Sequence, residues 1–97
     1  MAICAVFEFP GMTQEHYDEG TRQMNNGRPF RSLAEWPAPG LLSHIAGPTP
    51  DGWFVADVWE SQDALQRFGE ILGPILEKMG FSPIAPRIIP VYNFVAR

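Results

Sequence analysis

The stretch Trp53 to Phe68, WFVADVWESQDALQRF, constrains the fold more than any other part of the chain, because an extended run passes almost directly into a capped helix. Residues 53 to 59 are β-branched, aromatic or small, with the single charge of Asp57, which is the composition of a half-buried strand. Ser61 offers a side-chain oxygen to the free N–H groups of a helix starting at Gln62, and Asp63 adds negative charge to its positive first turn. Ala64, Leu65, Phe68, Ile71 and Leu72 share one side of that helix, and Ile75, Leu76 and Met79 continue the stripe. Pro74 has no N–H and its ring clashes with the carbonyl of Glu70, which predicts a break and a second short helix beginning there. Gly80 predicts a left-handed stop, with Phe81 folding back on Leu76.

Upstream, Ala2 to Phe9 is apolar except for Glu8 and ends at the turn dipeptide Pro10-Gly11, so it reads as a strand. Thr13 caps a helix through about Met24, with Glu15 in its first turn and Met12 placed to pack on Tyr17; His16 is expected to be exposed. The inward stripe of that helix, Tyr17, Gly20, Thr21 and Met24, is thin for a helix that covers a sheet. Either another segment covers that part of the sheet or a cavity lies there.

Asn25 to Gly40 is turn-rich yet carries Phe30, Leu33 and Trp36. Ser32 and Glu35 have capping-box spacing, so one helical turn brings Leu33 and Trp36 onto the domain, either as core or as a lid over a pocket. Leu41 to Gly47 is a short strand, joined through Pro48 to Gly52 to the strand at 53 to 59 as a hairpin. After the Pro-rich link Ser82 to Pro86, Arg87 to Val95 reads as the last strand, and Pro90 assigns it to an edge or a bulge.

The order βαββαβ in 97 residues predicts one α+β domain over 1–97, a ferredoxin-like antiparallel sheet with two helices on one face. Both residue sets of the first strand are apolar, Ile3, Ala5 and Phe7 against Cys4 and Val6, so both sheet faces call for burial. A chain this short buries only about 60 to 70% of its unfolded surface, which makes a homodimer the expected assembly. The net charge of −4 without a basic cluster argues against nucleic acid. The lone Cys4 excludes an internal disulfide and reads as a buried thiol. An apolar start without a basic flank, broken by Glu8, predicts neither leader nor membrane span and a cytoplasmic protein.

VFEFPGMT, GLLSHIAGP, DGWFVADVWES and the closing PVYNF together resemble the dimeric α/β-barrel superfamily, particularly small proteins like the antibiotic biosynthesis monooxygenases, over nearly the whole chain. The resemblance implies two sheets packed face to face across a dimer and a ligand bound between sheet and helices in each subunit. The superfamily spans cofactor-free oxygenases, haem-degrading enzymes, isomerases, cyclases and members without known activity, so the fold alone selects no reaction. Its haem-degrading members carry a histidine ligand in the second helical region, and residues 60 to 97 contain no histidine. No cofactor is therefore expected. The segment Arg28 to Pro37 is longer than the loop expected at that place and is expected to reshape the pocket.

His44 is the sharpest candidate for chemistry, because it interrupts an apolar strand with a group that exchanges protons near neutral pH; the alternative is a core histidine satisfied by a backbone carbonyl. Asp57, the carboxylate of the facing strand, could orient that imidazole or serve an Arg or turn N–H groups. Pairing Gly47 with Trp53 puts His44 opposite Ala56; a shift by one puts it opposite Asp57. Tyr92 and Asn93, on opposite faces of the last strand, are candidate hydrogen-bonding residues for a ligand oxygen. Trp36 and Trp59 are candidate aromatic contacts, with Trp53 a third; core packing is the alternative for each. The histidines and the cysteine lack metal-ligand spacing, no nucleotide loop is present, and Ser43 and His44 point to opposite faces. The leading expectation is a homodimer that binds a small apolar, aromatic or polyketide-like ligand, as a cofactor-free monooxygenase; an isomerase or cyclase and a non-catalytic binding or structural dimer are the alternatives.

Overall fold

The β-hairpin at the middle of the chain sets the register of everything around it. In the computed structural model, which describes residues 1–36, 38–82 and 84–97, β2 (Leu41–Thr49) and β3 (Gly52–Trp59) meet across a two-residue turn. The end of β1 (Ile3–Pro10) crosses this turn closely, and the Gly11 N–H donates to the Asp51 carbonyl at 2.8 Å. A Cβ on Gly52 would collide with the Phe9 carbonyl oxygen, so glycine is required there. β2 runs two residues beyond the expected Gly47, because Pro48 and Thr49 still face Trp53 and Gly52.

A bulge between Leu41 and Ser43 decides which β2 side chains face inward. Residues three apart normally point to opposite faces, yet the extra residue lets Leu41 oppose Trp59 while His44 opposes Asp57, on the same face. The sheet order is β2-β3-β1-β4, antiparallel throughout, with β4 (Arg87–Pro90) on the edge beside β1. Together with α1 (Gln14–Met24) and α2 (Gln62–Lys78) it makes an α+β domain compatible with the ferredoxin-like arrangement. The inward face carries Ile3, Ala5, Phe7 and Phe9 from β1 and Trp53, Val55, Asp57 and Trp59 from β3, all buried. On the opposite face Cys4, Val6, Phe54 and Val58 are half-buried, so Cys4 is less enclosed than its apolar flanks suggest.

The helix starts follow their capping residues. Ser61 accepts from the Ala64 N–H, and Thr13 accepts from the His16 N–H while His16 Nδ1 accepts from the Thr13 N–H at 3.1 Å. His16 is half-buried rather than exposed, with its ring edge-on to Phe81 at 5.1 Å. At the end of α2, Gly80 has φ of +88° and the Phe81 N–H donates to the Leu76 carbonyl at 2.9 Å.

Three further expectations are corrected. α2 is one continuous helix through Pro74. Pro74 and Glu70 both face solvent, so water can serve the carbonyl that the missing N–H leaves free. The last strand stops at Pro90 instead of Val95, since proline cannot donate to the ladder and one further bond, Val91 N–H to the Ala2 carbonyl, closes the pairing. The turn Leu33–Glu35 forms, but the Ser32 side chain makes no capping bond and Leu33 is exposed; Trp36 alone is buried. Pro37, the last residue of the segment Arg28 to Pro37, and Pro83, within the link Ser82 to Pro86, lie outside the described residues. No helix among the described residues is long and apolar enough to cross a membrane.

Candidate active site

The hairpin register brings His44 and Asp57 together. Asp57, 2% exposed, is the most deeply buried charged residue of the inward face, and its Oδ1 lies 2.6 Å from His44 Nδ1. A buried carboxylate without a partner is costly, and a carboxylate can only accept a hydrogen bond, so Nδ1 carries the proton. In the neutral form of the ring the one lone pair is then on Nε2. Tyr17 of α1 meets it, with Oη 2.6 Å from Nε2. In that form Tyr17 donates to His44 and His44 donates to Asp57.

Aromatic rings enclose this chain. Phe30 lies 4.9 Å and Trp36 6.1 Å from the imidazole, ring centre to ring centre, and the two rings pack on each other at 4.1 Å, tilted by 30°. Trp53 packs on Tyr17 at 5.3 Å. The segment after α1 reaches the site because Asn26 and Gly27 take positive φ and buried Asn25 donates through Nδ2 to the Pro29 carbonyl at 3.2 Å. Burial pushes the Tyr17 phenol up to about 12, with the nearby carboxylates of Asp57 and Asp18 adding to the effect. Tyr17 is thus a neutral donor across the physiological range.

The thin stripe on α1 produces a cavity. It lies between the sheet and the two helices, and Tyr17, His44 and Asp57 border it together with Trp36. Gly20 and Met24 from α1, Phe68 and Leu72 from α2, and Phe7 and Val55 from the sheet give it an apolar wall. About 50 Å³ is open to the centres of water-sized molecules. One buried water needs about 10 to 15 Å³, so the cavity takes a few waters, and a ring-sized ligand must displace side chains. Met12, Met24 and Met79 border it too, and unbranched thioethers are the side chains that shift most readily.

Of the residues singled out from sequence, His44, Asp57 and Trp36 converge. Trp59 is fully buried against Phe68 at 4.9 Å and does not border the cavity. Tyr92 and Asn93 follow the end of β4, Tyr92 is fully exposed, and neither borders the cavity. Their expected place on a strand fails with the strand. Tyr17 was legible only as an inward helix residue, because its hydroxyl meets His44 through the docking of α1 on the sheet. The indole N–H groups of Trp36, Trp53 and Trp59 are buried without a hydrogen-bond partner among the described residues. No three His, Cys, Asp or Glu side chains gather into a metal-binding group among those residues. No protein-family model matches this chain, and no curated protein matches it.

Proposed function

We propose that the chain is a cofactor-free acid–base enzyme that binds a small, largely apolar molecule between sheet and helices, within a homodimeric α/β barrel. The observation that carries this reading is the 2.6 Å contact between buried Asp57 and His44 Nδ1 beside an apolar cavity. Asp57 fixes the imidazole tautomer and stabilises the imidazolium that forms when a proton is taken up. Apolar walls select a substrate with little charge, and a surrounding of low polarity strengthens each hydrogen bond inside. In the monooxygenase version a phenol or activated C–H loses its proton and the electron-rich anion reduces O2; in an isomerase or cyclase the same anion rearranges without consuming O2.

A specific observation favours a second reading. Both imidazole nitrogens are satisfied within the chain, and the cavity as it stands is smaller than a ring-sized ligand, as befits a structural hydrogen-bond chain in a non-catalytic dimer. Native mass spectrometry of the purified protein identifies a retained ligand. With that ligand, or a close analogue, as substrate, His44→Ala is expected to lower turnover by about 10² to 10⁴ while apolar contacts hold affinity nearly constant. Unchanged turnover defeats the assignment of His44 to the catalysis. An oxygen electrode on the wild type then separates the oxygenase from the isomerase or cyclase.

A further inference from the structure

Within that acid–base reading, we infer that Tyr17 is a catalytic residue, passing the substrate's proton to His44 so that the imidazole never touches the substrate. His44 Nδ1 is committed to Asp57 and Nε2 to the Tyr17 hydroxyl, each at 2.6 Å, so a direct approach to the imidazole requires breaking one of these bonds. Tyr17 Oη spends its hydrogen on His44 and keeps lone pairs free; apart from that bond it has no other side-chain hydrogen bond among the described residues. The chain therefore receives a donor at Tyr17, which also borders the cavity. A group that is itself a donor, an acidic O–H, fits this polarity, and a bare carbonyl does not.

The transfer balances without any added reagent. The substrate O–H breaks and its proton forms a new bond to Tyr17 Oη, while the original Tyr17 O–H breaks and its proton forms a bond to His44 Nε2. The electron pair stays on the substrate oxygen. Tyr17 ends neutral and donates its new hydrogen to that anion, and the imidazolium is compensated by Asp57. Burial and the carboxylates disfavour a free tyrosinate, with the phenol pushed up to about 12, so the two protons move together rather than in sequence. The other polar side chains of α1 at the cavity are engaged elsewhere: Thr21 donates to the Asp18 carbonyl, and His16 accepts the Thr13 N–H through Nδ1, while Phe30, Trp36 and Trp53 supply only rings against this chain.

The test uses the full chain and 4-nitrophenol, whose anion is yellow, with its methyl ether 4-nitroanisole as the control that fits the same walls but has no proton to give. At a pH where free 4-nitrophenol is mostly neutral, the wild type is expected to yield a yellow bound form, and Tyr17→Phe to lose it while still binding 4-nitroanisole. Wild-type NMR gives a readout that no substitution can confuse: the Tyr17 ring carbon that bears oxygen should shift with 4-nitrophenol and stay in place with 4-nitroanisole. A yellow form that survives Tyr17→Phe but disappears in His44→Gln overturns the relay and leaves His44 as a direct base. Survival in both variants removes His44 as the base as well. A wild type that leaves 4-nitrophenol colourless, bound or free, or a Tyr17 carbon that ignores the phenol, also overturns the relay.

Discussion

The Tyr17 hydroxyl owes its properties to where α1 places it. Half-buried, facing Asp57 and Asp18, it is harder to ionise than a free phenol because the charged form loses hydration and meets two like charges. The raised value stabilises the fold at every pH below about 10, where the unfolded phenol is also neutral. That contribution is lost as pH rises from about 10 through about 12, since there the folded protein holds a proton that the unfolded chain has released. The chain has two tyrosines, so Tyr92→Phe isolates the signal. Ultraviolet titration of that variant should place phenolate formation at about pH 12 when folded and about 10 in denaturant. A folded midpoint near the denatured one would contradict the buried, carboxylate-facing position. Asp18 is adjacent in sequence, but Asp57 and His44 reach Tyr17 only through the fold, which is why the local sequence assigns Tyr17 no chemical role.

At the scale of elements, α1 is unusual in exposing a gap where a covering helix normally places bulk. Gly20 marks the gap: a Cβ there would meet Met79 Sδ at 3.6 Å, an ordinary contact, so the position tolerates a side chain. Alanine in a helix interior is favoured over glycine by about 0.5 to 1 kcal/mol. Gly20→Ala should therefore raise Tm, by about 2 to 8 °C for a domain of this size, and weaken 4-nitroanisole binding; Gly20→Leu should abolish it. Calorimetric titration beside a thermal melt checks both, and undiminished binding in Gly20→Leu would show that ligands do not occupy the space under α1. The element pattern itself was largely legible, because Thr13, Ser61 and Gly80 act on backbone groups within one turn. Pro74 and Pro90 were read less well. What each does depends on whether solvent serves the freed carbonyl or whether a neighbouring strand continues, and neither is a local property.

The site shows the same limit at the scale of the molecule. His44 and Asp57 were legible as types, but their union needed a two-residue turn, a bulge at Leu42 and the resulting register, any of which could have turned His44 to the other face. The face left uncovered by the helices carries the proposed pairing surface. Ile45, opposite Ala56, is 59% exposed, and Ile89, opposite Cys4, is 44% exposed, with half-buried Val6, Phe54 and Val58 between them. A second copy laid on this face would bury them at about 25 cal/mol per Å² of apolar surface, before the cost of association. Light scattering on a size-exclusion column should then give twice the 10.9 kDa chain mass at micromolar concentration. Ile45→Asp places a charge at the β2 end of the patch, on its most exposed member, and should shift the protein to the monomer, while the inward face with His44 and Asp57 keeps its register. A monomeric wild type defeats the barrel pairing, and an Ile45→Asp protein that stays dimeric moves the interface to another surface.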